Sequence, residues 1–209
     1  MSKVEQRRAR VSETIVTTAL EVMAEGGAAS LSLGEVARRL GMRTPSLYGY
    51  FESRAALCDE IFRRGWEDYS RLMADVRPSA DDDLAAVVHD RLTRAVTWAN
   101  QNRATAELMF WRPIPLWAPS PTAFAAAVAT IQDLRRAVAA AQAVGLLRES
   151  ADVDEMTEAL GVLFAGLISQ QLSNEPGVDA HRGRISRHAR ALADMYVHHY
   201  RPDHTRGGT

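Results

Sequence analysis

A single cysteine among 209 residues leaves no partner for an intramolecular disulfide and no cysteine pair for a zinc finger. Aromatic residues are sparse at 7%, and 13 glycines are too few for a collagen-like or low-complexity chain. Long apolar runs are missing as well. The longest, Ala159 to Ile168, reaches about half of the ~20 residues that span a bilayer. The opening Met1-Ser2-Lys3-Val4-Glu5-Gln6-Arg7-Arg8 is charged and lacks the apolar stretch of a secretory signal. Neither charge is in excess: the net value is −1, which argues against a wholly basic nucleic-acid binder. What is present, 46% apolar and 24% charged residues, suffices for one or two compact domains. The expectation is a protein of the reducing cytosol with no membrane partner.

The charge is unevenly spread. Residues 1–57 hold eight basic groups (Lys3, Arg7, Arg8, Arg10, Arg38, Arg39, Arg43 and Arg54) against six acids, whereas the remainder is net acidic. A mildly basic N-terminal third on an acidic body permits local contact with a polyanion, although a chance asymmetry of a few charges gives the same count.

Nearly every periodic segment repeats at 3 or 4 residues rather than 2, which predicts helices. Ile15, Val16, Ala19, Leu20, Val22 and Met23 share a helical face that stops at Gly26-Gly27. Ser32 and Glu35 fit a capping box opening a short helix through Leu40, which Gly41 breaks. Thr44 followed by Pro45 reads as N-cap and first helical residue of another, through about Tyr50. Longer helices are predicted from Ser53 to about Val76, from Asp81–Asp83 to about Asn100 and from Arg103 to Trp111. Prolines 113, 115, 119 and 121 then make a stiff loop. Ser120-Pro121 opens a helix with Phe124, Val128, Ile131, Leu134, Val138 and Ala141 on one side and Gly145 at its stop. Helices from about Asp152 to Leu172 and from Asp179 to Tyr200 complete an all-α chain of about nine helices, with a frayed tail at 201–209.

Between Leu33 and Phe51 the residues meet the requirements of a helix-turn-helix together. Ala37 is the small residue at the crossing, Gly41 supplies the turn, and Val36, Leu40, Met42 and Leu47 form the wedge. Arg43, Thr44, Ser46, Gly49 and Tyr50 are left facing outward, a set of hydroxyls and a guanidinium suited to a major groove. An ordinary helical corner without DNA meets the same steric requirements.

The stretch Leu31-Ser32-Leu33-Gly34-Glu35-Val36-Ala37-Arg38-Arg39-Leu40-Gly41-Met42-Arg43-Thr44-Pro45-Ser46-Leu47-Tyr48-Gly49-Tyr50-Phe51-Glu52-Ser53-Arg54-Ala55-Ala56-Leu57 resembles the DNA-binding domain of the TetR family of bacterial regulators, most specifically in Leu47-Tyr48, Phe51 and Arg54. The resemblance covers about residues 10–57. Beyond it, 102–110 and 113–121 resemble a subgroup of actinobacterial members. It implies that Arg43, Thr44, Pro45, Ser46 and Gly49 face bases, while Ser32, Tyr48, Tyr50 and Arg54 hold phosphates. The Arg54 position is more often lysine; arginine keeps the charge and adds a fork. Gly34 departs from the polar or basic residue often found there. Arg7, Arg8 and Arg10 form either an arm over the DNA backbone or minor groove, or a solvated basic tail.

The expected division is a helix-turn-helix domain at 1–52 and a larger helical ligand-binding and dimerisation domain at 53–200. In the latter, the helix from Met156 to Leu172 is apolar nearly all round, with Gly161 and Ala165 allowing close approach. The last helix presents Ile185, His188, Ala189, Leu192, Met195, Tyr196 and His199 on one side and Arg182, Arg184, Arg187 and Arg190 towards water. Two readings stand: a four-helix bundle between two copies, as the resemblance implies, or a buried central helix of a monomer. A two-fold dimer sets its recognition helices about 34–36 Å apart. The resemblance also implies a small effector, and Trp66, Tyr69, Trp98, Met109, Phe110 and Phe164 are the expected wall residues for an uncharged or lipophilic one. Cys58 reads as a buried, inert thiol, and His198, His199, Asp203 and His204 as surface residues without a metal-binding spacing.

No catalytic fingerprint occurs, and neither cofactor nor metal is expected. The leading expectation is therefore a cytoplasmic, nucleoid-associated homodimer that represses at a palindromic DNA operator until an effector releases it. A dimeric interaction protein with a vestigial helix-turn-helix and a helical enzyme are the alternatives.

Overall fold

A computed structural model describes residues 2–74 and 78–202. Among them are nine α-helices and no strand: α1 (Lys3–Gly26), α2 (Leu33–Arg39), α3 (Thr44–Tyr48), α4 (Arg54–Met73), α5 (Leu84–Gln101), α6 (Arg103–Phe110), α7 (Pro121–Ala143), α8 (Val153–Asn174) and α9 (Ala189–His199). The expected all-α class and helix order hold. Contacts group into two units, residues 1–67 with 102–127, and 68–101 with 128–209.

In the first unit, α1 begins on a complete capping box: the Ser2 hydroxyl accepts from the Glu5 amide, and the Glu5 carboxylate accepts from the Ser2 amide. One face of α1 then buries Ile15, Val16, Ala19, Val22 and Met23. At Ser32 only half of the expected box forms. Its hydroxyl accepts from the Glu35 amide at 3.1 Å, while the Glu35 carboxylate turns instead to Arg38 and Arg39. The aromatic residues of this unit gather around the fully buried Phe62, whose ring lies 5.8 Å from Trp117, 6.1 Å from Trp66 and 6.4 Å from Phe124. The proline loop is pinned to α4: the Trp117 indole donates to the Asp59 carboxylate at 3.1 Å, and Ile114 is buried. The loop carries two non-glycine residues at positive φ, Arg112 (48°) and Leu116 (61°).

In the second unit, Asp83 caps α5 by accepting from Ala86, and Asp152 caps α8 by accepting from Asp154 and Glu155. Helix α5 packs on α8 and α9. Helix α8 is not covered all round. Met156, Leu160, Phe164, Leu167, Ile168 and Leu172 are buried, whereas on the opposite side Val162 is 70% exposed and Gly166 is open.

The last helix begins ten residues later than the periodicity predicts. Residues 179–188 instead form turns and a short 3-10 helix (Ser186–His188) held against the end of α8, where Gln171 Oε1 accepts from the Ser186 amide and the Glu175 carboxylate from the Ile185 amide. Those side-chain acceptors compete with the backbone bonds a helix would need. The apolar stripe expected on α9 also divides. Ala189 and Tyr196 are buried, and the Tyr196 hydroxyl donates to Met156 O at 3.1 Å, while Met195 is 67% exposed and His188 and His199 face solvent. On α7 the expected face divides likewise: Val138 and Ala141 are buried, but Phe124, Val128 and Ile131 are exposed. Asp203, His204 and most of the expected frayed tail lie outside the described residues, as does the end of the segment predicted to run to Val76.

Candidate nucleic-acid interface

Two helices of seven and five residues are too short to be stable alone, so their geometry must come from the turn and from packing. The turn is a complete Schellman motif. Met42 N donates to Ala37 O at 2.9 Å and Gly41 N to Arg38 O at 3.2 Å, with Gly41 at φ 62°. Packing is supplied by Val36 and Leu47, both fully buried, with Ala37 at the crossing; Leu40 and Met42 are half-buried at its margin. Leu47 is the buried residue of α3. Anchoring it inward turns Arg43, Pro45, Ser46, Tyr48 and Gly49 outward as exposed residues, with Thr44 and Tyr50 half-buried beside them and Ser32 exposed at the start of α2. Tyr48, a large ring, is left 53% exposed.

The N-cap of α3 is Arg43 rather than the expected Thr44, and no side chain caps it. Thr44 is already helical, so Pro45 sits in the second position, where its missing N–H costs no helical bond. Of the first-turn amides, that of Ser46 already donates to Arg43 O at 2.8 Å and Pro45 has none to offer, so recognition falls to the outward side chains.

Charge accounting differs from the sequence count. Arg39 bonds Glu25 at 2.6 and 2.7 Å and Glu35 at 2.9 Å, and Arg38 grips Glu35 at 2.8 Å. These two guanidiniums hold the Glu35 carboxyl well below the usual range, down to about 2. They tie α1 to α2 and contribute little net positive field. Arg54 Nη2 donates to Ala29 O at 3.1 Å and its Nε is buried without a hydrogen-bond partner. Its guanidinium thus braces the start of α4 against the turn before α2. Arg8 donates to Gly49 O at 2.7 Å and lies over the Tyr50 ring, 5.3 Å from its centroid. The sequence reading overlooked this contact and the capping box that starts α1 at Lys3. The Ser2-Lys3-Val4-Glu5 spacing carried the latter signal as clearly as Ser32-Glu35 did. Residues 7–10 lie inside α1, so they form neither an extended arm nor a tail.

The six expected effector residues fall in both units. In the first, the Trp66 and Phe110 rings are 5.5 Å apart and Met109 is buried. A Cβ on Gly65 would stand 2.5 Å from both Met109 Sδ and Thr105 Cγ2, so these two side chains of α6 fill the space that a larger residue at 65 would need. In the second, Tyr69 packs edge-on to Trp98 at 5.2 Å, the Trp98 indole donates to Asp68 at 2.7 Å, and Phe164 is buried. Burial raises the Tyr69 hydroxyl above the usual tyrosine range. A cavity of about 30 Å³ in this unit is bounded by Leu84, Val88, Leu134, Val138, Leu160 and Tyr196, with Arg91 at its edge. That is space for about two waters. It touches none of the six. Cys58 is fully buried, and burial pushes its thiol up to about 11. His198 and His199 are exposed at the end of α9. Among the described residues no helix is long and apolar enough to cross a membrane.

The family of bacterial regulatory proteins described as the tetR family matches residues 15–61, which takes in the second half of α1, all of α2 and α3, and the start of α4. The HTH-type transcriptional regulator Rv1816 of Mycobacterium tuberculosis is 33% identical over 152 residues, 70% of this chain and 63% of that protein. This chain therefore matches less than two thirds of the relative's length. A regulatory protein of the tetR family from Rhodococcus RHA1 superposes with a TM-score of 0.66 at 19% identity, covering 96% of this chain and 98% of that one. A transcriptional regulator from Saccharomonospora viridis, solved in complex with choline, superposes with a TM-score of 0.64 at 21% identity, covering 91% and 97%. At those identities the two structures speak for the fold alone. The matched segment coincides with the helix-turn-helix built above, so residues 15–61 are a segment of the kind that defines the tetR family of bacterial regulatory proteins.

Proposed function

We propose that this chain is a sequence-specific transcriptional regulator, a repressor that binds a palindromic operator as a homodimer and leaves it when a small lipophilic or aromatic effector binds. The observation that carries the reading is the outward face of α3, where Arg43, Pro45, Ser46, Tyr48 and Gly49 stand exposed around one fully buried anchor, Leu47. Exposed hydroxyl, guanidinium and phenol groups on a helix suit base edges and phosphates. Thr44, Ser46 and Arg43 are assigned to bases with Pro45 and Gly49 beside them; Ser32, Tyr48, Tyr50 and Arg54 are assigned to phosphates. The bare strip of α8 at Val162 and Gly166, with Met195 on α9, supports assembly with a second copy, since exposed apolar strips of this kind mark interaction surfaces. For the effector, the aromatic pairs Trp66–Phe110 and Tyr69–Trp98, with Met109 and Phe164, are the proposed contacts within their respective units. The Saccharomonospora regulator's choline complex supports the idea that a chain of this fold takes a small organic molecule.

Selection of bound duplexes from a random DNA pool tests the reading, followed by salt titration of the winner. A palindromic winner bound by two protomers, weakened by Tyr48→Ala at an unaltered salt slope and by Arg43→Ala with a lower one, is the expected result. Binding that ignores sequence would favour an interaction protein with a vestigial helix-turn-helix.

A further inference from the structure

We infer that Arg8 is a positioning residue for the recognition helix, setting sequence discrimination rather than adding a phosphate contact; the inference rests on the DNA-binding reading above. Helix α3 has five residues, no side-chain cap at its N-terminus and Leu47 as its buried residue. With one inward anchor inside it, so short a helix takes its aim from what holds its two ends, and the Schellman turn holds the first. The second point of attachment lies at its C-terminal end, where Arg8 Nη2 donates to Gly49 O at 2.7 Å. A cation on a terminal carbonyl is favoured both as a charge-assisted hydrogen bond and by the helix dipole. The same guanidinium covers the Tyr50 ring at 5.3 Å, adding a cation–π contact. A single planar group thus grips two successive residues at the end of α3.

The opposite end of the lever is firm. Arg8 stands in the second turn of a 24-residue helix begun by the Ser2–Glu5 capping box and buried further along through Ile15, Ala19 and Val22. Because a fork engaged with a carbonyl and a ring is not directed at phosphate, losing it should loosen the aim of Ser46 and Gly49 without changing the number of phosphates neutralised. Phosphate contacts carry no sequence information, whereas base contacts do. The clamp therefore acts on the ratio between specific and non-specific binding.

The test compares Arg8→Ala and Arg8→Lys with the unaltered full-length chain, on the selected duplex and on a scrambled one, across a salt series. Arg8→Ala is expected to weaken the selected duplex about tenfold, change the scrambled one less than twofold, and leave the salt slope unaltered. Arg8→Lys, which still donates to Gly49 O, should recover part of the loss. Equal weakening of both duplexes with a slope lower by about 0.9 would make Arg8 a phosphate contact and overturn the inference. A second measurement needs no DNA. Exchange of the Tyr50 and Phe51 amides, both bonded to Leu47 O, should quicken in Arg8→Ala and in Tyr50→Leu and slow again in Arg8→Lys. Unchanged exchange would refute the clamp even if no duplex were ever selected, which separates its failure from failure of the DNA-binding reading.

Discussion

Gly41 and Gly34 offer a comparison in which one kind of substitution should act with opposite signs. A Cβ at either position meets no heavy atom within 4 Å, so steric crowding contributes nothing at either site. The difference lies in the backbone. Gly41 holds φ at 62° in the Schellman turn between α2 and α3, a conformation that costs an L-residue about 1–2 kcal/mol. Gly34 lies in the first turn of α2, where alanine removes a glycine entropy penalty of roughly 0.5 kcal/mol. Gly41→Ala should therefore destabilise and Gly34→Ala should stabilise, the two differing by about 2 kcal/mol. Asparagine, which tolerates the left-handed region, should cost less at 41 than alanine. Urea unfolding followed by circular dichroism reads the effect. With a slope of about 2 kcal/mol/M, Gly41→Ala moves the midpoint down by about 0.5–1 M at constant slope. The same substitution should weaken operator binding, because the turn sets the angle at which α3 leaves α2. An alanine at 41 that leaves the midpoint in place would mean that the positive φ is not held, and the account of the turn would fall with it.

Other expectations follow from single residues. Leu47→Ala removes three carbons from a fully buried site and should cost about 3 kcal/mol, with loss of operator binding; Leu47→Met should cost less than about 1.5 kcal/mol. The Asp152 carboxylate is held below its ordinary value by the amides of Glu155 and Asp154, so its contribution is present above the unfolded pKa and is lost as pH falls through the depressed one. Asp152→Asn should flatten that acid limb of the pH–stability profile, and an unaltered limb would remove the cap from the explanation. The Cys58 thiol, buried and raised to about 11, should resist thiol reagents at pH 8 until urea unfolds the protein; prompt labelling of the folded chain would show that the site opens.

Much of the architecture was legible because its signals are local. Gly41 and the alternation of Val36, Ala37, Leu40 and Leu47 specify the turn and wedge within a dozen residues. Ser120-Pro121 caps α7 as read, with the Ser120 hydroxyl accepting from Ala123. Where reading failed, the deciding contacts came from distant residues. The segment 179–188 has helical periodicity, yet Gln171 and Glu175 take its amides. Tyr196 reads as one member of the apolar side of the last helix, and only its hydroxyl on Met156 O, forty positions away, sets it apart from the exposed Met195. The expected face of α7 had the right period but not the right neighbours, so Val138 was buried and Ile131 was not.

At the proposed interface the same distinction separates residue identity from residue role. Outward orientation of Ser46, Tyr48 and Gly49 follows from burying Leu47, and that much is a matter of helical spacing. The work of each arginine is not. All of Arg8, Arg38, Arg39 and Arg54 count equally as positive charge in a sequence, but Arg38 and Arg39 are bonded to Glu35 and Glu25, Arg54 braces Ala29 O, and Arg8 holds Gly49 O. A guanidinium paired with a carboxylate is offset in charge, whereas one bonded to a neutral carbonyl keeps its charge but directs part of its fork to the fold, and one aimed outward presents both to a polyanion. Arg43, exposed at the N-cap of α3 with no side-chain capping bond, presents its charge outward beside Ser46. Salt dependence should accordingly respond more to Arg43→Ala than to Arg38→Ala, although both remove one positive charge.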